Sequence, residues 1–204
     1  VKEKFAFLFD PIKKYFGNFM EWTADSLSAI PPLVVIIIIV IAAFLITGKR
    51  IGLAIFSAIG LWLIYNQGLW AHLMETFSLV LISSLLAIII GVPVGILMSK
   101  SNIARIIIEP ILDFMQTMPA FVYLIPAVAF LGIGMVPGIF ASLIFATPPT
   151  VRMANLGIRQ VSTELVEAAD AFGTTGAQKL FKVELPMARA TIMAGINQTV
   201  MLSL

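Results

Sequence analysis

The sequence predicts an all-α polytopic membrane protein, and three observations support this fold class. Apolar residues make up 60% of the 204 residues and charged residues only 12%, whereas an ordinary soluble domain has about 25% charged residues. The mean hydropathy is +1.03. The apolar residues form continuous runs, as expected for helices that satisfy their own backbone hydrogen bonds inside a bilayer.

Residues 1–30 are predicted to form an amphipathic N-terminal segment. Apolar side chains recur there at helical spacing, and the charged residues fall elsewhere on the helical wheel. Such a helix favours the membrane interface, and an ordinary helix packed on protein is the alternative. The apolar stripe comprises Phe5, Leu8, Phe9, Ile12, Phe16 and Phe19.

Residues 31–66 are predicted to form a helical hairpin of two short spans, at 33–46 and 51–65. At about −0.5 kcal/mol for each strongly apolar residue, the first run favours insertion by about 6 kcal/mol. Both runs are shorter than the ~20 residues that a span needs. We therefore expect tilted helices or the inclusion of flanking residues, with a tight turn at 48–50.

Residues 70–204 are predicted to form the core, which begins with a long apolar run at 72–98. Pro93 interrupts this run, and Gly91 and Gly95 beside it form a possible close helix-packing face. The next segment, 104–118, has one apolar face and one polar stripe. This pattern favours an interfacial or cavity-lining helix, and an ion-paired connector is the alternative. The polar stripe comprises Arg105, Glu109, Asp113 and Gln116.

The fourth and fifth spans are predicted at 119–133 and 135–151. Pro126 and the Pro148-Pro149 pair are expected to kink or break these helices, which would leave backbone groups in need of protein or water partners. Transport pathways contain such breaks. A sixth span begins near 186 and is still partly polar when the sequence stops, so we expect the complete protein to continue beyond it.

Charge distribution predicts the orientation. If the polar loop 152–189 faces the cytoplasm, the outer connections 66–71 and 132–138 carry no Lys or Arg, in agreement with the positive-inside rule. The N-terminus is then external and the protein lies in the plasma membrane. Nine of the 13 basic residues fall on the cytoplasmic side: Lys49, Arg50, Lys100, Arg105, Arg152, Arg159, Lys179, Lys182 and Arg189.

The polar loop is the most informative segment of the sequence. Ser162 can cap a first short helix, Gly173 suits a left-handed helix end, and Thr175 with Gln178 fits a capping box for a second helix. The expected result is a two-helix elbow at 160–186 that can push on the two flanking spans, and Leu185-Pro186 is expected to end its second helix and start the next span. A solvated hairpin that only connects the spans is the alternative.

The elbow also has a specific spacing, E-A-A-x3-G-x9-(I/V)-x-L-P. This spacing resembles the coupling loop by which permease subunits of ABC importers bind their ATPase. Together with GVPVG at 91–95, the string from 113 to 126 and GINQT at 195–199, it makes the chain similar to the membrane subunit of glycine betaine/proline betaine (quaternary amine) ABC importers. The motif residues are Glu167, Ala168, Ala169, Gly173, Leu185 and Pro186.

The resemblance implies a type I ABC importer permease core that forms a translocation path for betaine-type solutes. It also implies a homodimer in the lipid bilayer, cytoplasmic ATPase subunits that hold ATP and Mg²⁺, and an external substrate-binding protein or fused domain. The motif residues would contact the ATPase. An aromatic face suits a quaternary ammonium, and the candidate pathway residues are Gln116, Phe121, Tyr123, Asn197 and Gln198.

The composition and the motifs limit the alternatives. The string at 173–179 departs from a phosphate loop at Gln178 and Leu180, and no dense basic cluster indicates nucleic acid. With no cysteine and one histidine, we predict no catalytic residue, metal site or bound cofactor on this chain. A permease for choline, carnitine or an amino acid stays open. An ion-coupled secondary transporter is less favoured because the spans lack midplane carboxylates.

Overall fold

The computed structural model describes the backbone of residues 2–48 and 51–204, and the side chains of 14–48 and 51–204. The regular segments in these ranges are helical, without a strand, which confirms the predicted all-α class. A π-helical segment, Leu180–Glu184, joins the last two helices. The helices are α1 (Lys2–Ser28), α2 (Pro32–Ile46), α3 (Ile51–Asn66), α4 (Trp70–Lys100), α5 (Asn102–Thr117), α6 (Ala120–Leu131), α7 (Met135–Arg159), α8 (Thr163–Ala171), α9 (Gly176–Lys179) and α10 (Leu185–Leu202).

The chain divides into two compact units, Val1–Leu79 and Val80–Leu204. In the first unit, α2 packs against α3, and Ile36, Trp70 and Met74 form a small buried cluster. Most other large side chains of α2 and α3 are exposed, as expected for short helices with lipid as their solvent. Of the turn predicted at 48–50, Lys49 and Arg50 lie outside the described residues.

Helix α1 covers the predicted amphipathic segment. Within the part whose side chains are described, the buried residues are Met20 and Ala24, whereas Phe19 of the predicted stripe is half exposed. The first four residues of that stripe lie outside the described side chains. The packing face is therefore offset from the predicted stripe, and the interfacial location of this helix stays a prediction.

The second unit is organised around α7, which packs against α10, α6 and α5. A buried cluster of Met98, Leu112 and Val151 joins α4, α5 and α7, with Val94, Ile108 and Met115 around it. The apolar face predicted for 104–118 thus packs on protein through its Ile108, Leu112 and Met115 edge. Other apolar residues of α5, including Ile103 and Ile106, stay exposed.

Length and hydropathy alone support fewer spans than the six predicted. Among the described residues, only α4 is long and apolar enough to cross a membrane by itself, and up to three spans result if each sharply bent pair counts as one. Those pairs are Lys14–Ser28 with α2, bent by 84°, and α5 with α6, bent by 91°. The other helices are too short or too polar, so the six-span topology stays a prediction.

The helices do not break at their prolines, and the kinks given as the other expectation stay a prediction. A proline removes its own backbone donor, but the helices continue on both sides of it, and hydroxyl groups add hydrogen bonds near the buried pair in α7. Thr147 donates to the Leu143 carbonyl oxygen at 2.5 Å, and Thr199 of α10 donates to that of Ala146 at 2.8 Å. Helices α4, α5, α6 and α7 run uninterrupted through Pro93, Pro110, Pro126 and Pro148-Pro149.

A sharp bend occurs instead at the junction of α5 and α6. Met118 separates the two helices in an extended conformation, with φ −88° and ψ 135°, as the residue before a proline prefers. Pro119 then starts α6 without needing a backbone donor. This junction lies at the predicted boundary between segments 104–118 and 119–133.

Candidate functional site

The elbow at 160–186 has a glycine-dependent turn at its centre. Gly173 has φ +74°, and it ends α8 with the two hydrogen bonds of a Schellman motif. Its backbone N–H donates to the Asp170 carbonyl oxygen at 2.9 Å, and the Thr174 N–H donates to that of Ala169 at 3.2 Å. The left-handed glycine predicted from the sequence is confirmed.

The second elbow helix begins with the predicted capping box. The Thr175 hydroxyl accepts from the Gln178 N–H at 3.3 Å, and the Gln178 side-chain oxygen accepts from the Thr175 N–H at 3.0 Å. The cap predicted at Ser162 is only half right, because Ser162 precedes α8 but its side chain makes no capping hydrogen bond.

Leu185-Pro186 starts the next long helix, as predicted, but it does not end the elbow helix. Helix α9 continues through the π segment into α10, and both residues belong to the first turn of α10. The Leu185 N–H bonds to the Leu180 carbonyl oxygen, five residues back. This wider turn accommodates Pro186, which has no donor and is tolerated at the start of a helix.

An ion pair holds the two elbow helices together. The Lys179 ammonium donates to both carboxylate oxygens of Asp170, at 2.7 and 2.8 Å. Asp170 belongs to α8 and Lys179 to α9, so the pair joins the elbow across its turn. The sequence placed both residues in the loop but did not indicate that they pair.

The residues of the coupling motif differ in burial, since some pack inside the protein and others are exposed. Ala169 is buried, at 7% exposure, and Leu185 is half-buried, so these two residues position the elbow. The others are accessible to a partner. The exposed motif residues are Glu167, Ala168, Gly173 and Pro186.

Leu165, Ala168, Ala169 and Phe172 form an apolar stripe at helical spacing in the sequence, but this stripe does not pack as one face. Ala169 points inward, but Phe172 is 89% exposed and Leu165 is 42% exposed. Phe181, in the π segment, is 67% exposed. Exposed aromatic residues on a polar loop are typical of contact surfaces. Both aromatic residues lie in the polar loop at positions that the spacing motif leaves unspecified.

Helices α7 and α10, which flank the elbow, are packed closely through small residues. A Cβ atom on Gly157 would lie 3.0 Å from the Thr191 Cβ, and one on Gly195 would lie 2.6 Å from the Met153 Cβ. The buried hydroxyls of Thr150 and Thr199 lie 2.6 Å apart. Since Thr199 gives its proton to the Ala146 carbonyl oxygen, Thr150 is the donor to Thr199.

Helix α4 packs against α7 through the glycines that the sequence indicated. A Cβ atom on Gly95 would lie 2.5 Å from the Ala154 Cβ, and one on Gly91 would lie 2.9 Å from the Thr150 Cγ2. Both separations are too short for real side chains. The close packing face predicted at Gly91 and Gly95 is therefore confirmed.

The polar residues of α5 make one ion pair within the helix, and an ion pair and a hydrogen bond to α7. Arg105 pairs with Glu109 at 3.2 Å, as the connector alternative expected. Asp113 pairs with Arg152 of α7. Near the other end of α5, the Arg159 guanidinium donates to the Asn102 side-chain oxygen at 2.9 Å.

The candidate pathway residues do not form one cluster around a common group. The Tyr123 hydroxyl donates to the Met115 carbonyl oxygen at 3.1 Å and so satisfies the end of α5. Phe121 is 75% exposed, and Gln116, Asn197 and Gln198 are exposed as well. Their role in transport stays a prediction.

Comparison with known proteins gives the family. Residues 85–204 match the family described as "Binding-protein-dependent transport system inner membrane component", which is more than half of the chain. The chain belongs to this family. The permease is therefore a transport subunit of the plasma membrane and not an enzyme, and its family implies an ATPase partner and a substrate-binding protein.

Three relatives agree with the resemblance seen in the sequence. The permease is 58% identical to the glycine betaine/carnitine transport permease protein GbuB of Listeria monocytogenes, over 98% of this chain and 72% of GbuB. It is 49% identical to the glycine betaine transport system permease protein OpuAB of Bacillus subtilis, over 98% of this chain and 70% of OpuAB. It is 47% identical to the glycine betaine/proline betaine transport system permease protein ProW of Escherichia coli, over 87% of this chain and 50% of ProW.

Proposed function

We propose that this permease forms the translocation path of an ATP-driven importer of glycine betaine/proline betaine-type solutes, and that its elbow binds a separate cytoplasmic ATPase. The observation that carries the proposal is the geometry of the elbow. It presents Glu167, Ala168 and Phe172 on an exposed surface, while the Asp170–Lys179 pair fixes its two helices.

The connections of the elbow support a mechanical role. α8 follows α7 after a short link, and α9 runs through the π segment directly into α10. Because α7 and α10 pack on each other through glycines and the Thr150–Thr199 hydrogen bond, a displacement of the elbow moves both helices. ATP and Mg²⁺ would be held by the ATPase, and closure of that partner would supply the displacement.

The names of the relatives support the substrate class. GbuB, OpuAB and ProW are all named for glycine betaine, and GbuB also for carnitine. We propose a betaine-type quaternary amine as the substrate of this permease, with carnitine or choline as the second candidate. Two copies of the permease and an external binding protein or domain would complete the importer. Candidate pathway residues Phe121 and Tyr123 offer aromatic faces for the quaternary ammonium.

Transport in reconstituted vesicles tests the proposal. The permease is combined with its ATPase and binding protein, and uptake of labelled glycine betaine is measured with ATP, without ATP, and with an ion gradient alone. We expect uptake only with ATP and the ATPase. Uptake driven by the gradient alone would refute the proposal and favour a secondary transporter. Competition by carnitine, choline and proline betaine ranks the substrates.

The proposed orientation has the elbow in the cytoplasm and the N-terminus outside, and labelling tests the location of the elbow. The chain has no cysteine, so an Ala177→Cys variant has a single reactive thiol at an exposed position of the elbow. We expect an impermeant maleimide to label this variant in inverted vesicles but not in intact cells. Labelling of intact cells would show that the elbow is external and could not meet a cytoplasmic ATPase.

A further inference from the structure

Glu184 is the one buried charged residue in the part of the chain whose side chains are described, with 5% exposure. It is the last residue of the π segment, where the elbow joins α10. Its carboxylate pairs with the ammonium of Lys100, the last residue of α4. This ion pair therefore connects the elbow to a helix that lies 84 residues earlier in the chain.

Packing stability does not explain the choice of this pair. The buried Glu184 carboxylate must lose its hydration, whereas the Lys100 side chain is 40% exposed, and an apolar residue of similar volume often serves a protein interior equally well as a buried charge. The end of α4 is already fixed near α7 by Met98, which lies in the buried cluster with Leu112 and Val151. What the pair adds is a directional connection between α4 and one point on the elbow.

That point is the place where the helical hydrogen bonding changes. The Leu185 N–H bonds five residues back instead of four, and Pro186 offers no donor. The elbow is thus joined to α10 through a turn with irregular hydrogen bonding, and π turns of this kind are frequent at functional sites. A charge pair at this turn joins α4 to the part of the chain that an elbow displacement reaches first.

We propose that Lys100 and Glu184 are positioning residues that make α4 follow the elbow when the ATPase moves it. This inference rests on the proposed function, since it requires the elbow to be the site of the applied displacement. The displacement then reaches helix α4 through two contacts. The Gly91–Gly95 face packs against α7, and the ion pair attaches the end of α4 to the elbow.

The test measures solute transported per ATP hydrolysed in vesicles that contain the complete importer. The variants are Lys100→Met, Glu184→Gln, the double variant that carries both changes, and the reversed pair Lys100→Glu/Glu184→Lys. Glu75→Gln is the matched control, because it neutralises an exposed carboxylate in the same helix α4. ATPase copurification and the Tm of each variant are recorded together with transport.

We expect both single variants to copurify with the ATPase and to hydrolyse ATP. The amount of solute transported per ATP should fall by roughly 5-fold or more. The double neutral variant is decisive, because it leaves no unpaired buried charge and should recover the Tm. If the pair positions α4, coupling stays low in this variant although its Tm is normal. The reversed pair, where it folds, should regain coupling.

Normal coupling in the double neutral variant would overturn the inference, since the pair would then have a purely structural role. Normal coupling in Lys100→Met would overturn it as well. These outcomes leave the proposed function intact. Failure of the wild-type permease to bind the ATPase would instead refute the proposed function, and the role of the pair with it.

Discussion

Substitution of Gly173 tests the proposed role of the elbow most directly. Gly173 has φ +74°, and a Cβ atom at this position would meet no atom within 4 Å. The cost of a side chain is therefore conformational and not steric. A non-glycine residue in the left-handed region costs about 1–2 kcal/mol, and we place a β-branched residue at the upper end of that range or above it.

The strain in Gly173→Val can be relieved only by changing the turn. The Schellman hydrogen bonds of Gly173 and Thr174, and the 2.8 Å bond from the Thr174 hydroxyl to the Ala169 carbonyl oxygen, would then be lost or rearranged. A cost of about 2 kcal/mol corresponds to a roughly 30-fold loss in the population of the native elbow. Because the turn is exposed, we expect little change in the Tm of the whole permease.

The assay compares ATP-driven uptake with substrate-stimulated ATP hydrolysis for Gly173→Asn, Gly173→Ala and Gly173→Val. Asparagine tolerates the left-handed region best of the three, so transport per ATP should fall in the order Asn, Ala, Val. Normal uptake and normal stimulated hydrolysis in Gly173→Val would refute the reasoning. So would a loss that does not follow this order.

Three further predictions concern the elbow surface and the helix packing. Phe172→Ala should weaken ATPase binding by about 1 kcal/mol or more, roughly 5-fold, without lowering the Tm; unchanged affinity in a binding titration would exclude Phe172 from the contact. Thr199→Val should lower the unfolding free energy by about 1–3 kcal/mol because it leaves the buried Thr150 hydroxyl without its acceptor. Thr150→Val should lower it less because the hydrogen bond from Thr199 to the Ala146 carbonyl oxygen remains; a thermal melt with the opposite order would contradict the assigned donor. Gly95→Val should lower the unfolding free energy by about 1–3 kcal/mol or prevent folding. Gly60→Val is the control and should have little effect, because a Cβ atom on Gly60 would meet no atom within 4 Å. Equal melting temperatures for the two variants would show that α4 does not pack tightly on α7.

The elbow was largely predictable because its signals are local. A capping box spans four residues, and the left-handed glycine end follows from one residue and its neighbours. Both were found where the sequence placed them. Leu185-Pro186 starts α10 as expected, but the predicted helix end before it is absent, because the π turn carries the chain from α9 into α10 without a break.

The tertiary contacts were not predictable in the same way. Nothing in the local sequence pairs Lys100 with Glu184 or Thr150 with Thr199, because these contacts depend on how α4, α7 and α10 approach each other. The offset of the buried face in α1 has a similar origin. Helical spacing identifies the apolar positions, but the neighbouring helices decide which of them are buried, as at Met20 and Ala24.

The packing of α10 against α7 determines where the permease can change shape. Met153 and the Pro149 carbonyl oxygen occupy the space beside Gly195, and one turn further on Thr199 is hydrogen-bonded to the Ala146 carbonyl oxygen. Rotation of α10 about its own axis would force the first contact into a clash and break the second. Under the proposed function, a change of shape that preserves both contacts requires a hinge outside the α7–α10 pair, and the 91° corner between α5 and α6, where Met118 is extended, is the candidate.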